Sequence, residues 1–296
     1  MLRFVSREAG RLALQLLGAI LLAAAISALA QPRARDGVLS FLFAWAQTLN
    51  AFARLDFGTS SISGGTALGE LGAHLPLTLG LVAEGFAAAL IVGVPVGVLF
   101  GAGPARRAAA PLVQIASAAP IFCAGLALAF LAANLLHWPV PLNDGVKSGL
   151  SLLPATPAGL RAAALPVLTV GLAGAAATQL AIRRAAAQAA GQPWRQQLRR
   201  MGLSGWDIER TYGLPEIFAG SLVSLGEVML ALLSAAAVVE WVFNYAGAAD
   251  LFVRSVALRD WTVVALILLV FAGLTMAADF IGRSVARALC DPGGTP

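Results

Sequence analysis

Long apolar runs separated by short polar stretches dominate the pattern of this chain. Six runs, at 11–30, 76–103, 109–137, 163–186, 217–245 and 261–288, each hold about 20 or more mostly apolar residues, enough to cross a hydrocarbon core of about 30 Å. Backbone groups in lipid have to bond within their own segment, so the runs are predicted to be helices. Strict two-residue alternation is absent, which excludes an outer-membrane barrel. The pattern predicts an all-α integral membrane protein, one domain over residues 1–296 with six transmembrane helices. The first run is too long for a signal-peptide core and reads as a retained span.

The polar stretches differ in kind. Residues 31–75 contain a second apolar segment, Val38 to Phe52, too short to span, and it predicts an amphipathic helix at the outer surface. Residues 138–162 carry Pro139, Pro141, Pro154 and Pro157 and predict an irregular loop. The segment GVPVGVLFGAG at 93–103 has the small residues that let helices approach closely.

Composition narrows the class further. Of 296 residues, 59% are hydrophobic and only 12% charged, too little charge to cover a soluble protein of this size. The net charge of +5 could suggest nucleic acid, but the arginines flank apolar runs and so report topology. An inside N-terminus places Arg3, Arg7, Arg11, Arg106, Arg107, Arg183, Arg184, Arg195, Arg199, Arg200, Arg210, Arg283 and Arg287 in the cytoplasm, thirteen of the twenty basic residues. With six spans both termini are then cytoplasmic, and residues 31–75 are periplasmic.

Between the fourth and fifth runs lies a polar island, the cytoplasmic loop 187–216, whose distinctive part is RRMGLSGWDIERTYGLPEIFAG at 199–220. Trp194 to Arg200 is helix-compatible, and Gly202 then suits a sharp turn because it accepts positive φ. Leu203 to Tyr212 resumes a helical pattern, with Ser204 as N-cap and Asp207 in the first turn. Pro215 suits the first turn of the fifth span, where its missing N–H costs nothing. The product is a helix–turn–helix along the membrane face.

Several chemistries are absent from the sequence. The only lysine, Lys147, belongs to no G-x-x-x-x-G-K-[ST] loop, so the chain has no usual cradle for ATP. His74 and His137 stand alone, Cys123 and Cys290 lack metal spacing, and GTSSISGG at 58–65 has no partner base. No catalytic residue and no metal site are expected. Polar side chains inside the runs are costly, which makes Glu84, Gln179 and Glu227 candidates for a translocation pathway or for helix–helix bonds. Glu240 and Arg259, near an outer end, read as gate or packing residues.

Gly202, Leu214-Pro215 and the spacing between them resemble the cytoplasmic EAA loop of bacterial ABC-importer permeases. That loop reads EAA, three residues, Gly, nine residues, then an aliphatic, any residue and Leu-Pro. Tyr212 takes the aliphatic place, and Gln196-Gln197-Leu198 stand where EAA would be. Other segments resemble the dipeptide/oligopeptide/nickel branch of those permeases, in order along the chain: LDFGTSS at 55–61, LGAHLPLTLGL at 71–81, LPVLTVGL at 165–172, VVEWVFNYAGAADLFVRSVALRDWTVV at 238–264 and LCDPG at 289–293. In the fourth of these Ala246 replaces the family's proline, Gly247 is kept and Ala249 replaces a second glycine.

The resemblance implies a type I ABC-importer permease in the bacterial inner membrane, working by alternating access. It implies a second homologous permease subunit, two ATP-binding subunits carrying the ATP and Mg, a periplasmic or lipoprotein substrate-binding protein, surrounding lipid, no nucleic acid and no cofactor on this chain. Around the island it implies Gly202 as the turn, Leu203, Trp206 and Ile208 as apolar anchors for an ATPase, Asp207, Glu209 and Arg210 as its polar contacts, with Ser204 and Pro215 framing the helix. Peptides are the expected substrates, with nickel or other metal chelates, glutathione-like molecules and oligosaccharides as alternatives. A secondary transporter would need inverted repeats, and none is evident.

Overall fold

The structure, a computed structural model, describes residues 2–29, 31, 36–101, 127, 130, 131, 134 and 157–290. Its named helices are α1 (Leu2–Ala28), α2 (Val38–Ala53), α3 (Ala67–Gly101), α4 (Pro157–Ala190), α5 (Pro193–Arg200), α6 (Gly205–Ile208), α7 (Leu214–Leu222), α8 (Leu225–Val242), α9 (Ala248–Ala257) and α10 (Trp261–Cys290). A five-residue π-turn, Glu209–Gly213, joins α6 to α7. Among the described residues five helices are long and apolar enough to cross a membrane: α1, α3, α4, α8 and α10. The predicted span 109–137 falls almost wholly outside the described residues.

Three predicted boundaries are corrected. The span expected from 76 begins at Ala67, because Thr66 Oγ1 accepts from the Gly69 N–H at 3.1 Å and Glu70 sits in the first turn. Pro76 is therefore inside the helix. The loop expected to 162 ends earlier, since Pro157 opens α4 as its first residue. The single run 217–245 is two helices, α7 and α8. They part at Val223–Ser224, where the Leu222 carbonyl packs so tightly on Gly282 of α10 that any side chain there would collide with it.

Contacts between small residues fix the directions of the spans. Gly85 lies against Val170, Gly93 against Ala175 and Thr178, and Gly97 against Ile182, so α3 and α4 run parallel. The absence of side chains on α3 permits this close approach, as the run at 93–103 predicts. Ala23 and Ala24 of α1 pack with Ala265 of α10, while Glu8 and Arg283 share a cavity, so these two helices are antiparallel. Leu222 at the end of α7 against Gly282, and Gly226 at the start of α8 against Asp279, set the α7–α8 segment antiparallel to α10. The main core holds Leu81, Val170, Leu232, Val239, Phe243 and Tyr245.

These directions gather the start of α1, the ends of α3, α4 and α10, and residues 191–213 at one end of the bundle. Residues 36–66 and 243–260 form the opposite end. There α2 buries Ala44, Thr48 and Phe52 toward α1, and Trp45 Nε1 donates to the Leu21 carbonyl at 3.0 Å. Its other face exposes Val38, Leu39, Leu42 and Phe43. A helix is thus present over the expected 38–52, seated on the first span.

Two buried carboxylates tie the opposite end together. Glu240 on α8 accepts from Thr78 Oγ1 of α3 at 2.6 Å and from the Asp250 N–H of α9 at 2.8 Å. Thr78 Oγ1 in turn accepts from the Ala248 N–H at 2.7 Å, so α9 begins on groups borrowed from two other helices. Gly247, its N-cap, touches the Glu240 carboxyl so closely that a Cβ would collide with it. Asp260 accepts from Ser60 Oγ at 2.6 Å, Ser61 N–H at 2.9 Å and Val263 N–H at 3.3 Å. Glu240 and Asp260 are both fully buried, so each meets its demand for donors inside the protein.

Candidate functional site

The polar island folds as a compact unit. The last turn of α5 closes with the Gly202 N–H on the Arg199 carbonyl at 3.1 Å and the Leu203 N–H on the Leu198 carbonyl at 3.2 Å. This is a Schellman cap, and it needs a left-handed residue, supplied by Gly202 at φ 87°. The next helix starts as the sequence predicts: Ser204 Oγ accepts from the Asp207 N–H at 3.1 Å and donates to Asp207 Oδ2 at 2.6 Å. Helical geometry then runs on through the π-turn into α7, with Pro215 in its first turn. The short helix expected to stop near Tyr212 is therefore continuous with the membrane-side helix that follows.

Arg195 on α5 reaches across this turn. Its two Nη atoms meet the two carboxylate oxygens of Glu209, one pairing of the two at 3.2 Å. Arg195 is only 8% exposed, unusual for an arginine in so polar a segment. Its guanidinium lies 5.1 Å from the Trp194 ring centroid, and Trp194 packs on Tyr212 with ring centroids 6.0 Å apart. Gly213 is buried against the ion pair, and a Cβ there would collide with Glu209 Oε2.

The structure divides the predicted contact residues. Gly202, Ser204, Trp206, Asp207, Arg210 and Pro215 are exposed, Trp206 at 70%. Leu203 is half-buried. Ile208 is corrected: it is buried inside the chain, because it lies on the inner face of the short helix and is no outward anchor. Glu209 is half-buried, its carboxylate paired with Arg195 and its side chain 38% exposed. The surface that remains is an apolar–basic tip of Met201, Trp206 and Arg210 around the Gly202 turn. Beside it Trp194, Tyr212, Pro215, Phe218 and Leu289 line a groove of about 670 Å³.

The three intramembrane candidates do not form one cluster. Glu84 is half-buried on α3, at the level of Val170, with its Oε2 enclosed. Gln179 is buried on α4, its Nε2 without a hydrogen-bond partner among the described residues. Glu227, expected well inside its span, is in the first turn of α8 because the helix breaks at Val223–Ser224. There it pairs with Arg184 of α4 at 2.6 Å, both side chains more than half exposed.

Sequence reasoning missed Arg195, Gly213 and Arg184 as partners. Arg195 and Glu209 are 14 residues apart and Arg184 and Glu227 are 43 apart, beyond any helical periodicity. The available signal was an arginine before and a glutamate after a glycine turn, which is too common to single out.

Comparison with known proteins follows this geometry. Residues 86–289 match the family described as "Binding-protein-dependent transport system inner membrane component". The chain is similar to the peptide transport system permease protein SapB of Salmonella typhimurium, at 25% identity over 84% of each chain. It is equally similar to a protein of Escherichia coli named as the putrescine export system permease protein SapB, again 25% over 84% of each. A third relative, the probable D,D-dipeptide transport system permease protein DdpB of Escherichia coli, is 29% identical over 71% of this chain and 67% of its own.

Proposed function

The chain belongs to the family of binding-protein-dependent transport system inner membrane components, and from that premise we propose that it is one permease subunit of an ATP-driven importer of peptides. The observation that carries the reading is the island: a capped, exposed tip whose helix is continuous through the π-turn with α7. A partner that grips Met201, Trp206 and Arg210 can push directly on the bundle. Two ATP-binding subunits would hold the ATP and Mg below, a second permease would complete the pathway, and an extracytoplasmic binding protein would deliver substrate above. Differential contacts of the tip in two ATPase states supply what alternating access requires.

This reading puts the island end, and with it both described chain ends, in the cytoplasm of a bacterial cell. The arginines at 183, 184, 195, 199, 200, 210, 283 and 287 support that side. Six spans belong to the same reading, with the apolar run 109–137 of the sequence as the one between α3 and α4. The exposed Arg184–Glu227 pair lies toward the island end of α4 and α8 and is assigned to the inner mouth of the pathway or to the second permease. Glu84 and Gln179 remain candidates for the same lining.

The relatives' names divide between peptide transport and putrescine export, which defines the test. Affinity purification of the tagged chain from its own membranes should bring down ATP-binding subunits, and the isolated chain should hydrolyse no ATP. The intact complex in proteoliposomes, with its binding protein, should then accumulate a labelled mixture of di- and tripeptides on ATP addition. Transport of labelled putrescine in place of peptide would replace the substrate class. ATPase activity in the isolated chain would refute the subunit reading.

A further inference from the structure

The turn at Gly202 should be a hinge. Nothing lies within 4 Å of where its Cβ would be, Met201 before it is exposed, and glycine has the freest backbone of any residue. A tip attached through such a turn would swing under load and pass little displacement to the spans. The structure supplies a second attachment. Arg195, on the near side of the turn, holds Glu209 on the far side by two parallel contacts, and a bidentate guanidinium–carboxylate pair fixes orientation as well as distance. One attachment allows pivoting; two attachments on either side of a turn do not.

Two further features belong to the same device. The π-turn Glu209–Gly213 widens the helix where the pair sits, and the bare backbone of Gly213 closes over it. The Trp194 ring lies against the guanidinium, which leaves the Arg195 half of the pair buried. From these contacts we infer that Arg195, Glu209 and Gly213 form a brace, a set of positioning residues that stiffens the α5–α6 tip so that its displacement reaches α4 through α5 and α8 through α7. The inference rests on the proposed function, and it assigns to three residues a role distinct from touching the ATPase.

The test uses the full complex in proteoliposomes with its binding protein and a labelled di- and tripeptide mixture as probe. Arg195→Met, Glu209→Gln and the double variant are compared for ATP-binding subunit retained and for peptide accumulated per ATP hydrolysed. Arg195→Met keeps the buried bulk without a buried charge, and Glu209→Gln carries the comparison if Arg195→Met fails to assemble. Each single variant should retain its ATPase subunits yet lower peptide per ATP about threefold, and the double variant should fall no further, because two partners of one contact are not additive. An unchanged ratio in the single variants, losses that multiply in the double, or loss confined to ATPase retention would overturn the brace. A wild-type complex that hydrolyses ATP but accumulates no peptide contradicts the substrate reading alone, and the same variants are then compared by binding-protein-stimulated ATP hydrolysis. A wild-type complex that lacks ATP-binding subunits overturns both.

Discussion

Four helices among the described residues end in the same hydrogen-bonded cap, and the two ends of the bundle use it in opposite ways. At the opposite end from the island the left-handed positions are Leu55, Asn244 and Arg259, at φ 60°, 54° and 60°. A non-glycine residue there costs about 1–2 kcal/mol. At two of these caps tertiary packing offsets that strain: Tyr245 and Asp260, which close the 6→1 bonds after Asn244 and Arg259, are buried, and Asp260 also holds Ser60 and Ser61. At the island the same position is Gly202, unstrained and in open space. One end is over-determined by long-range contacts, while the other is held by local bonds and one ion pair. The contrast separates a frame held by distant partners from an exposed tip held by local ones.

If that contrast is right, substitutions at the two ends should fail differently. The largest effect is expected for Glu240→Ala, which orphans Thr78 and the first turn of α9. It should cost about 3 kcal/mol and give a complex that unfolds at markedly lower temperature in detergent, with little of it reaching the membrane. Asp260→Ala frees Ser60, Ser61 and the Val263 N–H and should cost about 2 kcal/mol by the same measurement.

At the island the stability cost shrinks and the functional cost remains. Gly202→Asp meets no neighbouring atom, so it should cost only about 1 kcal/mol and leave assembly intact. It should nonetheless stop ATP turnover linked to transport, because the turn's shape and charge change where the partner binds; normal uptake by this variant would erase the distinction between the two ends. Ser204→Ala removes an exposed cap and should cost about 0.5 kcal/mol, with uptake reduced but measurable.

The parts of this fold legible in the sequence are those encoded within a few residues. Gly202, Ser204, Asp207 and Pro215 act through partners no more than four positions away, and each is found where it was expected. Five of the apolar runs hold the membrane-length helices of the described residues, but the run expected from 76 belongs to a helix that starts nine residues earlier, at Ala67. The links that hold the frame join residues far apart: Thr78 to Glu240 across 162 positions and Ser60 to Asp260 across 200. Both pairs lie in segments already singled out by resemblance, LDFGTSS and LGAHLPLTLGL against VVEWVFNYAGAADLFVRSVALRDWTVV. Nothing in their spacing says that they touch. Ile208 was misread for the complementary reason: a polar segment shows which residues face away from lipid, not which of them face its own interior.

The central claim is that the tip around Gly202 is the surface an ATP-binding subunit grips. Cross-linking from single cysteines in the intact complex, with Cys123 and Cys290 replaced, tests it directly. The account predicts a cross-link to an ATP-binding subunit from Trp206→Cys and Arg210→Cys, changing in yield between nucleotide-free and ATP-trapped states, and none from Leu39→Cys on α2 at the opposite end. A cross-link from α2, or none from the tip in either state, would contradict it.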